Sequence, residues 1–322
     1  MMRSSKILGT GAYLPEDIRT NDDISKIVDT SDSWIYERTG IKSRRIAGVN
    51  ETASSMAEIA ARQALSTAQI SPDEIDLIIV ATGTPDRVYP STACLLQHRL
   101  GIKHCVAFDV QAACSGAIYA LSIADQYIKT GAVKHVLIVG TEICSRIVDW
   151  TDRGTCILFG DGAGALLLGA SDEVGVLSTH IYSDGGYEDM LYCPNPQAAS
   201  EANKHELGVI SMRGNEVFKM AVNTLERIVD ETLEANNMAQ SEIDWLVPHQ
   251  ANIRIIAATA KKLNMAMDKV IITLEEQGNT SSASVLLALH AGISDGRIKR
   301  GQVVLLEAFG AGFTWGSALI RY

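Results

Sequence analysis

The sequence predicts an α/β protein made of two similar halves, and three observations lead there. Short apolar runs alternate with amphipathic helical patterns along most of the chain. A set of landmarks in the first half recurs in the same order in the second. The 322 residues are 47% hydrophobic and 20% charged with only 7 prolines, a composition with ample core and no low-complexity tract.

The expected strands are Leu77–Ala81, Val106–Val110, Val136–Gly140, Ala165–Leu168, Trp245–Val247, Val270–Leu274, Val303–Ala308 and Ser317–Arg321. Most are apolar throughout, as strands covered on both faces are. The repeat pairs SMAEIAARQALSTAQISPDEIDLIIVATGT with KMAVNTLERIVDETLEANNMAQSEIDWLVPHQA, each a helix, a polar link containing Glu-Ile-Asp and a buried strand. IKTGAVKHVLIVG from Ile128 matches IKRGQVVLLEAFG from Ile298 without a gap, and GALLLG at Gly164 parallels GSALIR at Gly316. The halves are therefore 1–172 and 173–322, meeting near Ser171–Gly175.

Charge and cysteine usage narrow the function classes. Lys and Arg number 28 against 38 Asp and Glu, a net charge of −10, which argues against general nucleic-acid binding. No segment approaches the ~20 apolar residues of a membrane span, and no secretory leader is visible, so a cytoplasmic protein is expected. The six cysteines form no C-x-x-C pair and no Cys/His cluster. Reduced thiols and no metal follow.

Three positions share one kind of place, where a strand gives way to a helix. Cys114 lies in FDVQAACSGAIYAL, where Ala117, Ile118, Leu121, Ala124, Tyr127 and Ile128 fall at helical spacing and Gly131 is placed to close the helix. The positive end of that helix favours thiolate over thiol. On this segment alone a nucleophile and a buried core cysteine fit equally well. His249 follows Pro248 at the end of an apolar run, and Asn279 sits in a Gly-Asn turn before Ser281 and Ser282, either of which can cap the next helix. Open α/β sheets place ligand sites at the carboxyl ends of strands, so the three can converge. GDGAG at Gly160–Gly164 precedes a strand, not a helix, so tight packing explains it better than phosphate binding.

The phrases SDSWIYERTGIKSRR, FDVQAACSGAIYAL, DWTDRGTCILFGDGAGALLL, RGNEVFKMAV, PHQANIRII, EEQGNTSSAS and FGAGFTWGSAL resemble, in order and over the whole chain, the β-ketoacyl-acyl-carrier-protein synthase III family. The resemblance implies a thiolase-like five-layer α-β-α-β-α fold, a homodimer, and decarboxylative condensation of acetyl-CoA with malonyl-acyl carrier protein through an acetyl-cysteine. It assigns Cys114 as nucleophile and His249 and Asn279 as donors to the enolate of the second substrate. The backbone N–H groups of Cys114 and Ala311 would form the acyl-transfer oxyanion hole. Ala311 stands within a loop where the family has three consecutive glycines, which limits access to positive φ there.

Substrate contacts carry over by position in the same motifs. CoA would meet Trp34, Arg38, Arg153, Phe218 and Asn252. Acyl carrier protein, an acidic partner, would meet Gln250, Ala251, Asn252, Ile253 and Arg254, with Lys219, Lys261 and Lys262 adding positive charge. Tyr89, in place of a phenylalanine that reaches across the dimer, and Phe309 would shape the acyl pocket. No cofactor is implied, since the CoA thioester is a substrate. Elongating condensing enzymes have a second histidine where Asn279 stands, and degradative thiolases have a cysteine that FGAGFTWGSAL lacks. A type III relative using longer or branched primers, and a non-catalytic acyl-binding descendant, remain as alternatives.

Overall fold

The computed structural model describes residues 4–195 and 208–322. Two sheets organise them. The first runs, in spatial order, Ser4–Tyr13, Asp161–Ser171, His135–Ile143, Leu77–Ala81 and Val106–Val110. The second runs Trp245–Pro248, Val303–Gly310, Thr314–Arg321 and Val176–Ser183. Leu77–Ala81 pairs in parallel with His135–Ile143, as Trp245–Pro248 does with Val303–Gly310, and in each sheet two antiparallel strands follow. The repeated landmarks of the sequence thus occupy equivalent sheet positions.

Alternation along the strands sorts side chains into layers. Val304 and Leu306 join Ile79, Ile138, Leu121 and Leu286 in a core between the sheets, where helices Gly116–Lys129 and Ser284–Ser294 lie. Val303 and Leu305 face the other way, onto helices Gly214–Ala235 and Ile253–Lys262. On the far side of the first sheet, Ile78, Val80 and Leu137 pack under helices Ala53–Ala68 and Thr92–Leu100. The result is the expected α-β-α-β-α sequence of five layers. Gly164 shows how closely the middle layer packs: a Cβ there would lie 2.6 Å from Leu286 Cβ, so GDGAG is a packing motif. No helix among the described residues is long and apolar enough to cross a membrane.

Three expectations need correction. Val270–Leu274 is not a strand; it keeps a single parallel bridge from Val270 to Leu246, and Leu274 opens a short helix. The Gln250 side chain takes its backbone groups instead, donating to Ile271 O at 3.1 Å and accepting from the Thr273 and Leu274 N–H groups at 2.9 and 3.1 Å. Strands Ser4–Tyr13 and Val176–Ser183 were absent from the expected set because glycine, serine and threonine dilute their apolar pattern. Val106–Val110 is an edge strand with Val106 exposed, not a strand covered on both faces.

Candidate active site

Cys114 sits in a 3-10 turn, Ala113–Ser115, that leads directly into helix Gly116–Lys129. Ala113 takes φ 46°, a left-handed conformation that a non-glycine residue holds at a cost of order 1 kcal/mol and that often marks functional turns. The surrounding structure fixes it: Ser115 Oγ donates to Thr314 O at 3.0 Å, and Thr314 Oγ1 donates to Ala112 O at 2.8 Å. Gly310 ends the strand beside it, where a Cβ would fall 2.7 Å from the Cys114 nitrogen. The positive φ of the following turn belongs to Gly312, at 132°, so Ala311 fits without the strain its sequence position suggested. Cys114 and Ala311 both line a cavity of about 680 Å³.

His249 lies at the end of Trp245–Pro248, its N–H donating to Glu307 O at 2.8 Å on the neighbouring strand. Its ring is buried, and burial lowers its pKa to about 3, so the imidazole is neutral near pH 7. Nδ1 lies 2.6 Å from Ser284 Oγ. Asn279 is also buried, and its Oδ1 accepts the Ser281 N–H at 2.9 Å, which leaves the amide nitrogen as its donor. Ser281 in turn touches Cys114, with Oγ 3.7 Å from Sγ. Ser281 links Cys114 to Asn279, and Ser284, three residues further on, holds His249; of the three candidate catalytic residues, Cys114 lines the cavity and His249 and Asn279 do not. No direct hydrogen bond joins any two of their side chains among the described residues.

The electrostatics of the thiol differ from the expectation of a lowered pKa. Burial pushes Cys114 up to about 12; the Ser281 hydrogen bond lowers it, and the nearby Glu142 carboxyl raises it again. A sulfur this buried loses more solvation than the start of one helix returns. Glu142, Ser281 and Ser284 were not singled out as site residues. Ser281 does not cap the next helix: its φ is 49° and its hydroxyl lies between Cys114 and Glu142. A carboxylate at the end of an otherwise apolar strand, in GTEIC, was the available signal for Glu142.

Comparison with known proteins decides the family. A model of "3-Oxoacyl-[acyl-carrier-protein (ACP)] synthase III" matches residues 108–185, and a model of its C-terminal part matches residues 233–322. The β-ketoacyl-[acyl-carrier-protein] synthase III of Methylococcus capsulatus is 65% identical over 322 residues, covering all of both chains. The chain belongs to the β-ketoacyl-acyl-carrier-protein synthase III family. It is a thiolase-fold condensing acyltransferase of fatty-acid biosynthesis. The synthase III of Thioalkalivibrio sulfidiphilus is 60% identical over 323 residues, again covering all of both chains. The crystal structure of 3-oxoacyl-[acyl-carrier-protein] synthase III from Aquifex aeolicus superposes with a TM-score of 0.94 at 49% identity, covering 99% of this chain and 100% of that one.

In this synthase III the residues assigned to CoA form one surface. Ser31 caps the Asp32–Thr39 helix, and the guanidinium groups of Arg38 and Arg153 lie 4.3 and 4.6 Å from the Trp34 ring. Asn252 donates to Arg38 O at 3.0 Å and caps the Ile253–Lys262 helix, while Ile253 packs against the backbone of Gly40. Arg254 lies over the Phe218 ring at 5.0 Å, with Lys219 exposed beside it. Ala251 is half-buried at the start of this surface.

Three assignments change. Gln250 is fully buried with its amide engaged as described, so its side chain does not face a partner. Lys262 is tied to Asp230 at 2.6 Å, away from Arg254 on the helix's last turn; Lys261 there is exposed. Phe309 meets Phe313 with ring centroids 4.7 Å apart and the rings tilted by 49°, and it packs with Ala221 and Leu225 instead of lining the cavity. Tyr89 is exposed at the chain surface beside Val88, a cavity-lining residue.

Proposed function

We infer that the protein condenses acetyl-CoA with malonyl-acyl carrier protein to give acetoacetyl-acyl carrier protein, CoA and carbon dioxide, the reaction that initiates fatty-acid synthesis. Cys114 attacks the acetyl thioester, and the N–H groups of Cys114 and Ala311 hold the oxyanion of the tetrahedral intermediate. CoA leaves, and the acetyl group stays on sulfur as an activated thioester. The malonyl group then binds and loses carbon dioxide, so no base need remove a proton from carbon. His249 and Asn279 donate to the enolate oxygen as charge develops there, and the carbanion attacks the acetyl carbonyl. The tetrahedral intermediate collapses, the bond from that carbon to Cys114 Sγ breaks, and acetoacetyl carrier leaves as the thiolate regains a proton.

One observation carries this reading. His249 is buried and held neutral beside Ser284, which leaves one ring N–H able to donate to an enolate oxygen, and it makes no hydrogen bond to the Cys114 thiol. The half-exposed edge strand Val106–Val110 supports a homodimer, in which a second copy covers it. Trp34 with its two arginines suits an adenine and its phosphates, and Arg254 with Lys219 suits an acidic carrier. A cytoplasmic location goes with this reaction.

The test is turnover with a panel of acyl-CoA primers and malonyl carrier. Acetyl-CoA is expected to serve best. Turnover confined to long-chain primers, or to malonyl-CoA in place of the carrier, would contradict the assignment.

A further inference from the structure

The cavity contains a carboxyl group that the condensation does not use. Glu142 is buried at the end of strand His135–Ile143 and lines the cavity with Cys114 and Ser281. Its oxygens accept the Gly83 N–H at 3.1 Å and the Thr84 hydroxyl at 2.8 Å. The Thr84 proton is committed to Glu142, because Thr84 Oγ1 itself accepts the Ile143 N–H at 2.8 Å. Ser282 Oγ lies 2.8 Å from Oε1 and 2.9 Å from Ala81 O. These donors fit an ionised carboxylate. Ser281 completes a line: Cys114 Sγ to Ser281 Oγ is 3.7 Å, and Ser281 Oγ to Glu142 Oε1 is 3.2 Å.

We propose that Ser281 and Glu142 form a proton relay for Cys114. The Sγ–H proton passes to Ser281 Oγ as the Ser281 hydroxyl proton passes to Glu142, leaving a thiolate and a neutral carboxylic acid. The thiolate forms the carbon–sulfur bond to the acyl group, the bond from that carbon to the CoA sulfur breaks, and the departing thiolate takes the proton back along the same line. Glu142 ends ionised and CoA leaves as the thiol. Ser281 touches the reacting sulfur; Glu142 acts through it and orients its hydroxyl.

Charge conservation favours this arrangement. A low-dielectric pocket tolerates one negative charge far better than two. Loss of the Cys114 proton to solvent would place a thiolate beside an ionised Glu142, whereas transfer moves a single charge from carboxylate to sulfur. Burial raises the proton affinity of both groups, which brings Glu142 closer to the role of acceptor. The other titratable groups bearing on the pair are Cys144 and, through Cys144, Asp161 and Cys193. Asp86 and Arg87 lie on the cavity wall. The left-handed backbone of Ser281, φ 49°, holds its hydroxyl in the line.

The relay rests on the acyl-transfer reading but is tested without any acyl-CoA, by iodoacetamide alkylation of Cys114 followed by intact mass as a function of pH. In the parent the relay gives a rate plateau across neutral pH, because the reactive form and the resting form carry the same charge. Glu142→Gln is expected to abolish the plateau, leaving a rate that climbs tenfold per pH unit. Glu142→Asp is expected to restore a lower plateau, and Ser281→Ala to lower its height at least tenfold. Profiles of parent and Glu142→Gln that superimpose, or a uniform slowing with the plateau kept, would overturn the relay. Should Glu142→Gln not fold, an unchanged plateau height in Ser281→Ala would overturn it equally. If acetyl-CoA fails to load Cys114 while the plateau behaves as described, the primer assignment falls and the relay stands.

Discussion

The Nδ1 atom of His249 lies 2.6 Å from the hydroxyl oxygen of Ser284, and the same hydroxyl oxygen accepts the Gln250 N–H at 3.4 Å. A hydroxyl that accepts from the backbone has its own proton free for Nδ1. The tautomer this favours carries hydrogen on Nε2, the ring nitrogen that Ser284 does not engage. His249→Ala and Asn279→Ala are each expected to slow decarboxylation of malonyl carrier by about 10²–10³ while leaving acetylation of Cys114 within a few-fold. Separate assay of the two half-reactions checks this. A loss confined to acetylation would reverse the roles.

The same burial makes His249 a source of pH-dependent stability. With a folded pKa near 3 against 6.5 for an ordinary histidine, the unfolded chain takes up a proton below pH 6.5 that the folded chain refuses. Stability therefore falls with pH below 6.5. At pH 5 this contributes a loss of roughly 2 kcal/mol, which His249→Gln should remove. Urea unfolding at pH 7 and pH 5 measures the difference.

Glu307 works in the opposite direction. Its side chain is fully buried, neither carboxyl oxygen makes a well-formed hydrogen bond among the described residues, and burial raises its pKa from 4.5 to about 8 against a smaller lowering by the nearby Thr259 hydroxyl. Between those values the folded chain holds a proton that the unfolded chain has lost, so stability falls as pH rises from 4.5 to 8. Between pH 6 and pH 8 the parent is expected to lose roughly 2 kcal/mol more than Glu307→Gln. Equal losses would place a partner on the carboxyl group.

The loop after Val303–Gly310 separates two kinds of glycine requirement. Gly310→Ala puts a methyl group 2.7 Å from the Cys114 nitrogen, and acetylation should fall at least a hundredfold in a folded protein. Ala311→Gly should change turnover less than about threefold, because the positive φ resides at Gly312. A large gain from Ala311→Gly would show that the alanine does strain the loop.

Carrier docking is expected to depend on Arg254 and Lys219. Arg254→Glu should raise KM for malonyl carrier about tenfold at low salt and leave acetylation by acetyl-CoA unchanged. Unchanged KM at low salt would remove this face from the docking surface.

Much of the fold was legible because buried strands and helices announce themselves by apolar runs and periodicity. The repeat pairs Leu77–Ala81 with Trp245–Val247 and Val136–Gly140 with Val303–Ala308, and these strands hold equivalent positions in the two sheets. It failed at Val270–Leu274 because a side chain, Gln250, took the place of a neighbouring strand, and an amide's partners cannot be read from its own segment. Cys114 and His249 stand where a strand gives way to a helix, as the sequence predicts; Asn279 follows the short helix Leu274–Gln277 instead, so only the motif around it singled it out. Glu142 and Ser281 were not, because what gives them a role is their distance from Cys114 and from each other, and 139 residues separate the two in sequence.

The central claim is that Cys114 carries the acyl group between the two substrates. Intact-mass analysis after mixing with acetyl-CoA, followed by addition of malonyl carrier, tests it most directly. A single acetyl adduct on Cys114 that disappears as acetoacetyl carrier forms, and is absent in Cys114→Ala, is the expected result. Condensation product formed at an undiminished rate by Cys114→Ala, or an adduct that malonyl carrier fails to discharge, would contradict it.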